Sequence, residues 1–145
     1  MIGRQHSLAK TLPSMERDAM PHKRINKRIN ELLRLRPGWD GYEGRPVTFE
    51  NASFAMAVLE ACCGKNDPIP QIVPGPSGDL QLEWHLEKGD IELHILAPNT
   101  VQAWHVDEQT GDDGEDVLLT NDFTAVAEWL KSLATVTMQG HAAQN

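Results

Sequence analysis

Cysteine, tyrosine and long apolar runs are scarce in this chain of 145 residues. The two cysteines, Cys62 and Cys63, are adjacent and cannot close a stabilising loop, so we expect reduced thiols. No apolar run approaches the roughly 20 residues that a membrane-spanning helix needs, and the first residues do not resemble a signal peptide. We therefore expect a cytoplasmic protein that does not bind a membrane.

Motifs of common enzyme classes are also missing. The sequence contains no GxxxxGK loop for phosphate, no GxGxxG loop for dinucleotides and no GxSxG turn for a serine nucleophile. Cys62 lies in an apolar helical pattern rather than at an electropositive helix start, which disfavours an activated thiolate. We assign no catalytic residue and no cofactor, and these observations favour a non-enzymatic protein over an enzyme.

Basic residues are scarce after Arg45. Residues 1–45 hold ten Lys and Arg against five Asp and Glu, a net +5, whereas residues 46–145 hold three against sixteen, a net −13. Phosphate binding needs clustered Lys and Arg, so nucleic acid could bind only through the basic N-terminal segment. The acidic remainder suits a basic protein surface, or the basic segment itself could fold back on it.

Two helices are predicted in the first half of the chain, after a flexible tail at residues 1–20. The first begins at Pro21 and buries Ile25, Ile29 and Leu32. Its outer side is either a solvated face or a contact for nucleic acid or an acidic partner, and it carries Lys23, Arg24, Lys27 and Arg28. The second helix has Thr48 as its N-cap and ends near Cys63, before a proline-rich segment expected to be extended and irregular.

The centre of the chain alternates apolar and polar residues and predicts three antiparallel strands. A two-residue turn at Lys88 and Gly89 would place His85 opposite Glu92. A second turn at Pro98 and Asn99 would place Glu92 opposite His105 and Leu93 opposite Trp104. Trp104 is thus predicted on the buried face and His105 on the polar face.

This register would align four potential metal ligands on the polar face. His85, Glu92 and His105 would form a row across three strands, with His94 one pleat away. Imidazoles and carboxylates are ligands for zinc and other transition metals, so the row is a candidate metal site. The same pattern is typical of solvated cross-strand pairs, and it could also form a pH-sensitive or partner-binding surface.

The last third of the chain predicts an acidic loop and a final helix. The loop, residues 107–116, is either a solvated hairpin tip or a docking element that includes Asp112 and Asp113. A helix capped by Asn121 or Asp122 follows, and residues 137–145 are predicted to form a flexible tail. Together the elements predict one α+β domain at residues 21–136, with N-terminal and C-terminal helices packed on one face of an antiparallel meander.

The stretch LRPGWDGYEGRPVT joins the first two predicted helices. Its glycines and Asp40 suit a tight corner, in which Trp39 and Tyr42 would bury their rings between helix and sheet. Alternatively, Trp39 and Tyr42 could be exposed anchors for a partner.

The order Trp39, Asp40, Gly41, Tyr42, Pro46 and, later, GDLQLEW resembles a group of short, largely uncharacterised bacterial and prophage proteins. The resemblance covers roughly residues 31–96, although Glu43 and Gly44 replace the usual small residues. It implies that the corner is a shared feature of the fold and that a β-hairpin follows. No activity is established for the group, so the resemblance implies no catalytic residue.

Two functions remain open from the sequence. The first is a small interaction or regulatory protein, such as an antitoxin-like partner, an accessory protein or a phage-encoded inhibitor, that binds a larger protein or nucleoprotein. The second is a metal-dependent hydrolase or metal-binding domain that uses the four ligands above. We favour the first, because the charge division is counted directly whereas the metal row depends on an inferred register.

Overall fold

The computed structural model describes residues 12–134, with side chains from His22 onward except those of Asp112 and Asp113. Most of the predicted N-terminal tail and all of the predicted C-terminal tail lie outside these residues. The chain forms an α+β fold with three helices, α1 (Leu12–Leu33), α2 (Phe49–Cys62) and α3 (Thr124–Ala134). Its strands are β1 (Gln71–Pro74), β2 (Leu80–His85), β3 (Gly89–Ala97), β4 (Thr100–Asp107), β5 (Asp112–Asp113) and β6 (Val117–Leu119). Within the described range, no helix combines the length and hydropathy needed to cross a membrane.

Helix α1 begins earlier than the sequence pattern predicts. The predicted start at Pro21 is wrong, because the helix already runs from Leu12. The preceding residues include Leu, Met, Glu, Arg and Ala, which all favour helix formation. The predicted apolar side is confirmed, since Ile25, Ile29 and Leu32 are buried.

Helix α2 begins as predicted. The hydroxyl of Thr48 accepts a hydrogen bond from the backbone N–H of Asn51 at 3.1 Å and so satisfies one free donor of the first turn. The buried side of α2 includes Ala52, Ala55 and Val58. These residues pack toward β3, while α1 packs against α2 and β1.

The sheet is an antiparallel meander in the order β1-β2-β3-β4-β5, and β6 also pairs with β4. Strand β1 comes from the proline-rich segment that was expected to be extended and irregular; the extended backbone is confirmed, whereas the regular strand was not predicted. It pairs with β2 from Gln71 opposite Glu83 to Pro74 opposite Leu80. Proline is tolerated there because β1 is an edge strand with one side unpaired.

The register between β2 and β3 differs from the prediction by two residues. The backbone N–H of Leu86 donates to the carbonyl of Gly89 at 2.8 Å, so the turn residues are Glu87 and Lys88. His85 consequently lies opposite Asp90, and Glu83 lies opposite Glu92. The predicted pairing of His85 with Glu92 is therefore wrong, although both side chains remain on the predicted face.

A bulge in β3 changes the face of every β4 residue beyond it. Ala97 lies opposite Thr100, as the predicted Pro98 and Asn99 turn requires, but Ile95 lies opposite Val101. Leu96 is therefore an extra residue on one strand, which shifts the register by one and exchanges the two faces of β4. Trp104 lies opposite Glu92, and His105 lies opposite Ile91. The predicted faces of Trp104 and His105 are both wrong for this reason.

The two faces of the sheet have different environments. The covered face packs against the helices, and its fully buried members, each at most 1% exposed, are Leu80, Leu82, Trp84, Ile91, Leu93, Ile95, Val101 and Ala103. The open face is polar and half-buried or exposed, and its central members are Gln81, Glu83, His85, Asp90, Glu92, His94, Gln102, Trp104 and Val106. Helices α2 and α3 both pack against β3. The predicted arrangement of helices on one face of an antiparallel meander is confirmed.

Candidate interaction surface

The open face contains a depression with a volume of ≈ 340 Å³. We call it the Trp104 depression, and it is lined by Gln81, Glu92, His94, Gln102, Trp104 and Asp116. Five of these residues come from β2, β3 and β4, and Asp116 comes from the connection between β5 and β6. The depression therefore combines one large aromatic ring with carboxylate, amide and imidazole groups.

Cross-strand pairing explains why these side chains meet. Gln81 lies opposite His94, and His94 lies opposite Gln102, so the three form a row across β2, β3 and β4. Trp104 and Glu92 form the neighbouring row. Directly opposed residues on one face of an antiparallel sheet have Cβ atoms about 4.5–5.5 Å apart, which brings their side chains into contact range.

The negative charge on the open face, in and beside the depression, is only partly balanced. Glu83 and Glu92 are directly opposed across β2 and β3, an arrangement that is unfavourable for like charges. His85 lies 3.6 Å from the carboxylate of Glu83 and 3.2 Å from that of Asp90. Within the part of the chain that the structure describes, Glu92 has no such ion-pair or hydrogen-bond partner.

A buried carboxylate holds the histidine of the depression in place. Nε2 of His94 lies 2.5 Å from the carboxylate of Asp79, a residue that is only 6% exposed. The backbone N–H of Ser77 also donates to this carboxylate at 2.9 Å. Burial raises the pKa of Asp79, but the His94 and Ser77 hydrogen bonds outweigh burial and hold that pKa below its ordinary value. Asp79 is therefore ionised at neutral pH.

Two glycines shape the loop that presents Asp79. A Cβ atom on Gly75 would collide with the Asp79 carboxylate, so only glycine leaves room for it. Gly78 has a φ of 82°, and a Cβ there would lie 2.8 Å from the methyl group of Thr48. Its carbonyl accepts hydrogen bonds from the Thr48 backbone and from the Asn51 side chain. These contacts join the loop to the start of α2.

The corner predicted from the WDGY stretch supports the same loop. The carboxylate of Asp40 accepts hydrogen bonds from the backbone N–H groups of Tyr42 and Gly44. The indole N–H of Trp39 donates to the carbonyl of Arg45 at 2.8 Å, and the Arg45 backbone N–H donates to the carbonyl of Pro76. Trp39, Asp40 and Arg45 thus connect the corner to the loop that positions Asp79 and His94.

The two aromatic residues of the corner have different environments. Trp39 is half-buried, whereas Tyr42 is 85% exposed. The predicted burial of the Tyr42 ring is therefore wrong: Tyr42 lies in the turn closed by the Asp40 carboxylate, where its side chain is exposed. Its alternative role as an exposed anchor stays a prediction.

The four predicted metal ligands do not converge. His85 contacts Glu83 and Asp90, and His94 contacts Asp79. His105 lies on the covered face, where its ring stacks on Trp129 with 4.1 Å between centroids. The described residues contain no group of three or more His, Cys, Asp or Glu side chains placed to hold a metal ion. The predicted row is wrong because the Leu96 bulge moves His105 to the other face.

The four residues of the predicted basic contact on α1 have different environments, and their role in partner binding stays a prediction. Lys23, Arg24 and Lys27 are exposed. Arg28 instead donates from Nε to the carbonyl of Ile72 at 2.9 Å and lies 3.0 Å from the carboxylate of Glu31. Arg28 thus satisfies an outward carbonyl of the edge strand β1.

Two residues of the predicted acidic loop at residues 107–116, Asp112 and Asp113, form the short strand β5. Asp113 lies opposite Val106 and Asp112 opposite Asp107, at the far edge of the sheet. Their side chains fall outside the described part of the structure, so their role in partner binding stays a prediction. The carboxylate of Asp107 accepts a hydrogen bond from the backbone N–H of Gln109, which closes the turn before β5.

Sequence reasoning missed most of the depression. Asp79, Trp104, Gln81 and Gln102 were not assigned a functional role, and Asp116 was considered only as part of the acidic loop. Gly78 and Asp79, directly before β2, are residue types typical of a turn, and this was a signal that a carboxylate lies there. The contact of Asp79 with His94, however, joins residues that are 15 positions apart. That contact depends on strand pairing.

Comparison with known proteins does not place the chain in a family. No protein-family model matches it, and no curated protein or solved structure shows significant similarity to it. The functional interpretation therefore depends on the side chains and contacts described above.

Proposed function

We propose that this protein is a small non-enzymatic interaction protein that regulates a larger protein or nucleoprotein by binding it through the open face of the sheet. One observation carries this proposal: among the described residues no helix covers this face, and its centre is a depression that contains Trp104 beside the unpaired carboxylate of Glu92. Tryptophan at the centre of a surface is a common source of binding energy between proteins.

The charge of the surface indicates the chemistry of the partner. Four carboxylates lie on or beside the open face: Glu83, Asp90, Glu92 and Asp116. Residues 46–145 carry a net charge of −13, so the surrounding potential is also negative. This charge repels phosphate groups and attracts Lys and Arg, so the open face suits a basic protein surface.

The basic side of α1 supports a nucleoprotein partner. Lys23, Arg24 and Lys27 are exposed and lie within two helical turns of one another. In a complex with a nucleoprotein, these three side chains can contact phosphates of the nucleic acid while the open face contacts its protein component. A metal-dependent hydrolase receives less support, because its predicted ligands lie on opposite faces of the sheet.

The proposal is tested by affinity purification of the tagged full-length protein from its host cells at low and moderate salt. We expect a stoichiometric protein partner with the wild type, lost in Trp104→Ala and weakened in Glu92→Gln. Glu128→Gln is the matched control, because Glu128 is an exposed carboxylate on α3 at the other side of the sheet.

The wild type and the variants are first compared by circular dichroism to show that they fold. Equal recovery of the partner with wild type and Trp104→Ala would contradict the open face as the binding surface. A wild-type protein that purifies without any stoichiometric partner would contradict the proposed function. Metal analysis of the same wild-type sample tests the hydrolase alternative.

A further inference from the structure

We propose that the Trp104 depression receives the guanidinium group of an arginine from the partner, stacked on the Trp104 indole between the carboxylates of Glu92 and Asp116. This inference rests on the proposed function, since it names the partner group that the open face recognises. The inference concerns a single side chain of the partner. It can therefore be wrong even if the open face is the binding surface.

The aromatic ring is the first reason for a cationic group. Trp104 lies on the open face, half-buried between neighbouring strands, and it lines the depression. Of the aromatic side chains, tryptophan attracts cations most strongly, and the attraction grows when water is partly excluded. Arginine is favoured over lysine because its planar, weakly hydrated cation can stack on the ring.

The hydrogen-bonding groups around the ring are the second reason. Carboxylate oxygens come from Glu92 and Asp116, and amide oxygens come from Gln81 and Gln102. Guanidinium carries five N–H donors and no acceptor, so a depression lined by several acceptors matches it. The three donors of a lysine ammonium would use fewer of these oxygens.

The unbalanced charge is the third reason. Glu92 lies directly opposite Glu83 and has no ion-pair partner among the described residues. The neighbouring imidazole of His85 contacts other carboxylates instead, Asp90 at 3.2 Å and Glu83 at 3.6 Å. A bound cation would relieve the repulsion between the two glutamates. Binding would therefore remove an unfavourable interaction of the free protein as well as form new ones.

His94 does not oppose a cation in this position. Its Nε2 lies 2.5 Å from the carboxylate of Asp79, so a proton on the imidazole is offset by the Asp79 charge. The depression keeps the negative charge of Glu92 and Asp116 in either protonation state of His94. The size also fits, since ≈ 340 Å³ is at the lower end of the range of about 300–1,000 Å³ for small-ligand sites.

The test uses the full-length protein with ¹⁵N-labelled tryptophan and follows the four indole N–H signals by NMR. The probes are acetyl-Gly-Arg-Gly-amide and the matching peptides with lysine or citrulline, the last being a neutral analogue of arginine. Trp104→Phe assigns the Trp104 signal. If that variant does not fold, Trp39→Phe, Trp84→Phe and Trp129→Phe assign it by elimination.

We expect the arginine peptide to shift the Trp104 signal saturably and to leave the Trp84 signal unchanged. The lysine peptide should bind more weakly, and the citrulline peptide should cause no shift at the same concentration. Glu92→Gln should weaken arginine binding about tenfold, a change of about 1.4 kcal/mol, whereas Glu128→Gln should leave it unchanged.

Two results would overturn the inference. One is a Trp104 signal that the arginine peptide does not move, and the other is an equal shift with citrulline, which would show that charge is not recognised. If the partner is still captured in a Trp104-dependent way, these results reject the arginine subsite and leave the proposed function standing. Failure to capture any partner rejects the proposed function instead.

Discussion

The ring of His105 stacks on Trp129 with 4.1 Å between centroids and 19° between planes. This contact joins β4 to α3 across the covered face of the sheet. It shows that His105 is a packing residue between sheet and helix, while its neighbour Trp104 points to the opposite face. The two adjacent side chains therefore belong to the contact between sheet and helix and to the candidate interaction surface respectively.

His105→Phe should leave the free energy of unfolding unchanged or raise it by up to about 1 kcal/mol. Nδ1 of His105 is buried and has no hydrogen-bond partner among the described residues, and phenylalanine removes this polar atom while it keeps the stacked ring. Urea denaturation measures the effect. His105→Ala, which removes the ring, should cost about 2–3 kcal/mol. A loss of more than about 2 kcal/mol in His105→Phe would contradict the packing role.

The two tryptophans of the sheet centre should respond differently to truncation. Trp84 is 1% exposed on the covered face, so Trp84→Ala should lower the free energy of unfolding by about 3–5 kcal/mol. Trp104→Ala should cost about 1 kcal/mol or less, because Trp104 lies on the open face. Chemical denaturation of both variants compares them directly. Equal losses of unfolding free energy would show that Trp104 is a core residue, as the register predicted from the sequence requires.

Asp79→Asn should destabilise the protein in a pH-dependent way. The pKa of Asp79 lies below its ordinary value of 3.8 in the folded state, so its ionised form stabilises the fold above that pH. This contribution is lost as the pH falls through the folded-state pKa. At pH 7 we expect Asp79→Asn to cost about 1–3 kcal/mol, and the difference from wild type should shrink toward pH 3. Unfolding curves across that range test the sign, and a difference independent of pH would contradict it.

Gly75→Ala should displace the Asp79 carboxylate, because the added methyl group would occupy its position. We expect a loss of about 1–3 kcal/mol, and the double variant Gly75→Ala, Asp79→Ala should lose less than the sum of the single variants. Gly41→Ala is a control for general glycine effects: Gly41 has a φ of 85° but no atom within 4 Å of an added Cβ. Its expected cost is about 1 kcal/mol of backbone strain. Strict additivity in the double variant would show that the Gly75 methyl does not act through Asp79.

Arg28→Ala should lower the free energy of unfolding by about 1–2 kcal/mol, since it removes the hydrogen bond from Nε to the carbonyl of Ile72. Lys27 is the matched control, because it is an exposed cation one position earlier on α1. Lys27→Ala should change stability by less than about 0.5 kcal/mol. Thermal unfolding separates the two variants, and a neutral Arg28→Ala would show that the β1 edge does not depend on this side chain.

Local patterns predicted most of the elements. The alternation of Leu80, Leu82 and Trp84 indicated β2 and its buried face, and the three- and four-residue spacing of Ile25, Ile29 and Leu32 indicated the buried side of α1. The N-cap of α2, Thr48, was also predicted. Asp122, one of the two residues predicted to cap α3, accepts a hydrogen bond from the backbone N–H of Thr124, the first residue of that helix, at 3.0 Å. These features depend on residues that are close in the sequence.

The candidate site was harder to predict because small local errors change the pairing between strands. The turn between β2 and β3 is centred one residue earlier than predicted, so His85 lies opposite Asp90 instead of Glu92. The bulge at Leu96 moved Trp104 from the expected core to the surface. Apolar alternation could not reveal this, since β4 has a large aromatic residue on the open face and a histidine on the covered face.

The sequence by itself determined the α+β class, the order of the three helices and of strands β2, β3 and β4, and the charge division between the N-terminal segment and the acidic remainder. Those properties follow from composition, from side-chain periods of about 3.6 and 2 residues, and from capping residues. Only the tertiary structure decided which side of β4 faces the helices, and it alone joined Asp79 to His94 and Glu92 to Trp104. The physical reason is that strand side chains alternate with a period of two, so a single extra residue at Leu96 exchanges core and surface along the rest of the pairing.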